Sequence, residues 1–276
     1  MSPGRSSALI ALFLASFAVE AVHAGGGLHQ PTSIGFKRAV YHAASGTTTA
    51  SGGAGARMGN PFWVTVTTTG WFYGLQNCVR PGEAEELVLD WGDVQASSLV
   101  DGFQIGYATD ASDPNGILLE INFHNNSNGF GDNENRLLGF WLQLPGRPPS
   151  FPYQFVGWIF TFDLEGTGYE FSLGDQDLDD DQLADFAYSY RIIDPSDSTA
   201  TGPLISIPDP NNPLAAPGVE DAFDDYLDPN YAPCDPNVPY FSTYWFGGTP
   251  YAQFHLALYG YLFVDAACNC PEVYGN

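Results

Sequence analysis

Asp177, Asp179, Asp181 and Asp185 fall at relative positions 1, 3, 5 and 9 of an acidic run between two strand-like stretches. Calcium is a hard cation that takes roughly six to eight oxygen ligands, so alternating carboxylates on a tight loop suit it. A structural calcium ion is therefore the expected cofactor, set against the plainer reading of a solvated acidic hairpin tip. A second kind of chemistry lies in the aromatic residues. Trp71-Phe-Tyr73 and Tyr244-Trp-Phe246 are consecutive, so on strands they alternate between two faces and do not all point inward. Trp71, Tyr73, Tyr244 and Trp245 are the expected members of an exposed, glycan-binding patch, because an aromatic ring matches the apolar face of a sugar ring.

Catalytic constellations are scarce, and no catalytic residue is assigned. His29, His42, His124 and His255 stand outside any H-E-x-x-H pattern, and neither G-x-S-x-G nor a phosphate-cradling glycine loop occurs. His255 alternates with apolar neighbours and reads as a hydrogen-bonded sheet histidine. Asp163 and Glu165 read as a solvated strand end. The alternative to a binding role is a secreted glycan-degrading hydrolase with a dispersed carboxylate pair.

The elements that must carry these residues are strands. Short runs with period-two alternation recur, bounded by Gly, Pro, Asn or Asp: Phe62 to Thr69, Glu86 to Trp91, Gly102 to Ala108, Ile117 to Phe123 and Leu137 to Leu144. Phe155 to Leu164, Tyr169 to Leu173, Ala184 to Ile193 and Tyr251 to Val264 continue the series. Phe103, Ile105 and Tyr107 share one face, as do Ala252, Phe254, Leu256 and Leu258. The spacing predicts an all-β, antiparallel, jelly-roll-like β-sandwich over 59–265. Residues 25–58 read as a flexible Gly/Ala/Ser/Thr-rich lead-in with a strand near Ser33 to Tyr41. Asp194 to Pro239 reads as a long Pro/Asp-rich surface excursion, with a strand at Leu204 to Ile207 and one helical turn over Val219 to Tyr226.

Compartment and charge narrow the function further. Arg5, the apolar run Ala8 to Val19 and Val22-His-Ala24 form a charged segment, a hydrophobic segment and a cleavage site, so 1–24 reads as a signal peptide. The run is too short for a bilayer core of about 30 Å, and no second span follows. The chain is expected to be secreted, with no integral membrane span after processing. Lys and Arg total 8 against 32 Asp and Glu, a net charge of −24, which excludes nucleic acid as a partner. An extracellular glycan or a surface protein remains. Cys78, Cys234, Cys268 and Cys270 suit disulfides in an oxidising compartment, the last two lying in a C-terminal tail over 266–276. Their connectivity is open, and adjacency makes a Cys268–Cys270 bridge awkward.

Three resemblances attach to these motifs. The aspartate spacing resembles the D-x-D-G-D-G-x-x-D calcium loops of integrin-type repeats, which implies a further ligand in the backbone carbonyl of Leu183. Asp180 and Gln182 replace the two glycines of that pattern, and Phe186 stands where an EF-hand counted from Asp175 needs Glu. Leu119-Glu-Ile-Asn-Phe-His124 faintly resembles the E-I-D-x-x-E strand of laminarinase-like enzymes; Glu120 matches, while Asn122 and Asn125 replace the other two carboxylates. Leu89-Asp-Trp-Gly-Asp93, Asp101-Gly-Phe-Gln-Ile-Gly-Tyr-Ala108, Asp185-Phe-Ala-Tyr-Ser-Tyr190 and Tyr244-Trp-Phe-Gly-Gly-Thr-Pro-Tyr251 together resemble a recurrent group of secreted β-rich proteins of planctomycete-type bacteria. That resemblance implies export and a β fold, and carries no activity with it.

Overall fold

Alternating apolar residues on many short segments have one economical solution, which is to bury their common faces between two sheets. The computed structural model of the chain takes that solution. It describes residues 27–50, 59–75, 86–94, 98–112, 117–125, 136–174, 177–178, 183–193, 201–208, 216, 221–227, 241–247 and 251–262. All of its regular elements are strands: β1 Gly27–His29, β2 Ile34–His42, β3 Thr47–Ala50, β4 Asn60–Thr65, β5 Thr67–Gly74 and β6 Glu86–Val94. Then follow β7 Ser98–Thr109, β8 Ile117–Asn125, β9 Arg136–Leu144, β10 Phe155–Asp163, β11 Phe171–Leu173 and β12 Ala184–Ile193. The last are β13 Gly202–Ile207, β14 Ala222–Leu227, β15 Phe241–Trp245, β16 Gln253–Phe254 and β17 Leu256–Leu262.

The first sheet runs β1-β5-β13-β7-β10-β2-β3, with β11 and β17 also on β7, β16 on β13 and β4 on β17. The second runs β15-β14-β6-β12-β8-β9. Pairing is antiparallel apart from β10 and β2, which run parallel from Phe155↔Ile34 to Asp163↔His42. No helix among the described residues is long and apolar enough to cross a membrane.

The expected alternation is what fills the space between the sheets. Phe103, Ile105 and Tyr107 of β7 all point into the core, as do Ala252, Phe254, Leu256 and Leu258. Aromatic edges lock the layers together: Phe103 meets Phe123 at 5.3 Å, and Trp63 meets Phe186 at 5.2 Å, all across the sandwich. A fork lets the last strands enter. β13 leaves β7 after Pro203↔Tyr107, and β17 takes its place from Leu256↔Ile105. A proline at the fork fits, because it has no N–H to contribute to a continuing ladder.

Three expectations change. The lead-in contains the anticipated strand as β2, but β1 and β3 flank it as further members of the first sheet. The helical turn expected over Val219 to Tyr226 is instead strand β14, paired with β6 and β15. Its Asp224-Asp225 pair suggests solvent in sequence, yet both residues are buried. The long excursion accordingly supplies β13 to one sheet and β14 to the other.

Candidate functional site

On β8 the odd-numbered residues Leu119, Ile121 and Phe123 face the core, so Glu120, Asn122 and His124 form a row on the outer face of the second sheet. The neighbouring strands set this row's partners. Glu120 lies between Trp141 of β9 and Arg191 of β12, and Asn122 between Gly139 and Ser189. His124 lies between Arg136 and Ala187.

Hydrogen bonds order this row. Asn122 Nδ2 donates to Glu120 Oε1 at 3.4 Å and to Ser189 Oγ at 3.3 Å. His124 Nε2 lies 3.3 Å from Ser189 Oγ. Arg136 Nη1 donates to Glu120 Oε1 at 3.4 Å, and Arg191 stands 4.0 Å from Glu120 Oε2. The orientation of the Asn122 amide is decided by Glu120: turned over, it would bring its carbonyl oxygen against a carboxylate.

Gly139 turns this row into a notch. A side chain there would collide with Asn122 Oδ1 and lie 3.4 Å from Arg136 Cζ. Without one, the Arg136 guanidinium folds across the strand toward Glu120, and Asn122 Oδ1 sits in the space left beneath it. That oxygen is buried and accepts no hydrogen bond. At the rim, Trp141 is 53% exposed. Further along the same face, Leu89, Trp91, Ala187 and Ala222 form a buried apolar cluster, so the polar notch is confined to the β8–β9 side.

The aromatic patch expected from Trp71, Tyr73, Tyr244 and Trp245 does not form. Tyr73 is only 3% exposed, and its hydroxyl donates to Asp225 Oδ2 at 3.0 Å. Its ring packs 4.8 Å from Phe223, whose own ring stacks 5.5 Å from Tyr244. The two aromatic triplets do meet, but through Phe223 and inside the core. Trp71 packs partly buried against that core, and only Trp245, 63% exposed, is open. The alternation argument fails because both faces of β5 are covered. Phe72, on the opposite face, has its own cluster with Ala108, Phe155, Ile159 and Leu204.

Of the expected calcium ligands, Asp179 and Asp181 lie outside the described residues, as do Cys78, Cys234, Cys268 and Cys270. Asp177 and Leu183 stand at the two ends of the loop. Asp185 is the second residue of β12, buried, with Oδ2 accepting from Leu178 N at 2.6 Å. Directly across the ladder from it stands Asp93, which the sequence pattern did not single out.

Asp163 is buried rather than solvated. Its Oδ2 holds His42 Nδ1 at 3.0 Å, and His42 Nε2 lies 3.2 Å from Thr49 Oγ1. This trio ties the short edge strand β3 to β2 and β10. His255 is the sheet histidine expected, buried with Nδ1 at 2.9 Å from Ser206 Oγ and Nε2 at 3.2 Å from Gln104 Oε1. Trp141, Gly139 and Arg136 were missed in sequence; the available signal was an isolated Trp on a strand with a glycine two residues before it. The chain matches no family model, and comparison with curated proteins and with solved structures finds no match.

Proposed function

We propose that this chain is a secreted, non-catalytic glycan-binding β-sandwich whose sugar site is the notch at Gly139. The observation that carries this reading is Trp141, 53% exposed on the outer face, with Glu120 across the ladder and the exposed Arg136 guanidinium reaching over Gly139 beside it. The buried Asn122 amide donates to Glu120 Oε1 and so orders that carboxylate for a sugar without touching it. The Trp141 ring would take the apolar C–H face of the same sugar, while Glu120 and Arg136 offer an acceptor and donors for its other hydroxyls. Among the described residues, Glu120 has Trp141, Arg191 and Asn122 as its neighbours on the face rather than a second carboxylate. That arrangement suits binding better than glycosidic hydrolysis, which needs a pair.

Calorimetric titration with soluble polysaccharides tests the reading, using Trp141→Ala as the comparison. The wild type should saturate, and the variant should bind at least about tenfold more weakly at unchanged melting temperature, since surface truncations cost little stability. Equal affinity of the two proteins, or no binding across the panel, would remove the proposal.

Calcium at the turn before β12 belongs to the same proposal. Asp177, Asp179, Asp181, Asp185 and the Leu183 carbonyl are all hard oxygen donors, and a cation there would relieve the repulsion of the facing Asp93 and Asp185. Calcium at about a hundred times its Kd should stabilise the fold by about 2.7 kcal/mol. Melting followed in calcium and in EDTA reads this directly. Identical curves, or a calcium effect that survives changing Asp177 and Asp181 to Asn, would dismiss the ion.

A further inference from the structure

We infer that the sugar taken by the Gly139 notch is an acidic one, a uronic acid unit of a polysaccharide, whose carboxylate is received by Arg136. The inference rests on the glycan-binding reading above and adds the ligand's charge. Cations are rare in this chain, 8 Lys and Arg against 32 acidic residues. Even so, Arg136 and Arg191 both converge on Glu120. Arg136 is thus one of the few cations on the surface of a chain whose net charge is −24.

Arg136 is the accessible member of the pair. Its side chain is 55% exposed, against 26% for Arg191. A guanidinium presents five N–H donors in a planar fork, and the contact of Arg136 with Glu120 uses one Nη1 at 3.4 Å. The absent side chain at Gly139 brings this group over the strand, on the side where Trp141 stands opposite Glu120. A pyranose lying on the Trp141 ring thus has the guanidinium fork at its edge. A carboxylate is the group that such a fork pairs with most specifically, through two parallel N–H···O bonds. The Glu120 carboxylate accepts only, so it would take a hydroxyl of the same sugar and would repel a carboxylate. The two groups therefore discriminate the two ends of a uronate.

The chain's overall negative charge opposes any polyanion at long range. That opposition is screened beyond about 8 Å at physiological ionic strength, whereas the Arg136 contact is direct. The sign of the salt dependence separates the two effects. A contact-dominated complex weakens as sodium chloride is added, and a repulsion-dominated one strengthens.

The test uses the full secreted chain, short oligogalacturonates and the same oligomers with their carboxyl groups reduced to alcohols. The acidic oligomer should bind about tenfold or more tightly than the reduced one, and salt should weaken it. Arg136→Gln should remove that preference, weakening the acidic oligomer far more than the reduced one, with Arg136→Lys intermediate because it keeps charge without the fork. Trp141→Ala should weaken both ligands. Equal binding of the two oligomers by the wild type, a preference that survives Arg136→Gln, or tighter binding of a sulfated neutral glycan would overturn the uronate assignment while leaving the sugar site standing. Failure of every sugar to bind would overturn both.

Discussion

Replacing Asp90 by Ala is expected to lower the stability of the folded chain by about 3 to 5 kcal/mol, read as a fall in the denaturation midpoint. Asp90 points inward from β6 and is fully buried. Its two oxygens accept from Trp91 N at 2.9 Å and from Phe254 N at 2.8 Å. The second bond crosses the sandwich to the junction of β16 and β17, where the chain changes partners. Three other side chains grip the same junction: Tyr188 Oη donates to Phe254 O at 2.8 Å, Tyr190 Oη to His255 O at 2.9 Å, and Thr65 Oγ1 accepts from Leu256 N at 3.2 Å. Removing the carboxyl takes the acceptor away from the Phe254 N–H that crosses the sandwich and leaves a cavity beside it. Asp90→Asn keeps one acceptor and should cost less. A loss below about 1 kcal/mol in the Ala variant would show that the junction holds without this clamp.

Asp90 also gives stability a pH dependence. Burial pushes its carboxyl well above the ordinary range, Asp224 adds to that, and the N–H groups of Phe254 and Trp91 together with Tyr188 oppose it. A raised folded value means that protonation favours the fold. This contribution is complete below the unfolded value of about 4 and is lost as pH rises through the folded one. Asp101, raised by burial, acts in the same direction.

His255 is expected to impose the opposite limb. Burial, with Arg38 adding to it, lowers its pKa from 6.5 to about 3, so the folded chain holds it neutral. Nδ1 then accepts from Ser206, and Nε2–H donates to Gln104. Gln104 in turn donates to Thr161 Oγ1 at 2.9 Å, completing a neutral relay over β13, the β16–β17 junction, β7 and β10. For a base whose pKa is lowered by folding, the stabilisation is present above 6.5 and is lost as pH falls toward 3. The full loss is of order 4 to 5 kcal/mol at the acid end. On the acid side, down to about pH 4, the wild-type melting temperature should fall more steeply with decreasing pH than that of His255→Gln. Parallel acid limbs in the two proteins would assign acid sensitivity to other groups. With Asp90 favouring low pH and His255 opposing it, maximal stability is expected at mildly acidic pH.

What was legible in sequence follows from what is local. Period-two alternation in Phe103 to Ala108 and in Tyr251 to Tyr259 identifies strands and their core faces because side-chain direction is set by the backbone alone. The same reasoning located β2, β8, β10 and β12 within a few residues. It missed β14 because Asp224 and Asp225 look solvated in isolation, and their burial depends on β6 and β15 closing on either side. Tyr73 and Tyr244 fail as surface residues for a related reason. Alternation assigns a residue to a face, and only packing decides whether that face is covered.

The amino-acid sequence by itself determined the all-β class, the positions of most strands, the strongly negative net charge and the place of His255 as a hydrogen-bonded sheet histidine. The tertiary structure alone decided the notch. Glu120, Gly139 and Arg191 stand far apart along the chain, and neither the buried Asn122–Glu120 contact nor the reach of Arg136 over Gly139 exists until β8, β9 and β12 pair in register. Register is a long-range property, fixed by burying one face of every strand at once, so no local window of sequence contains it.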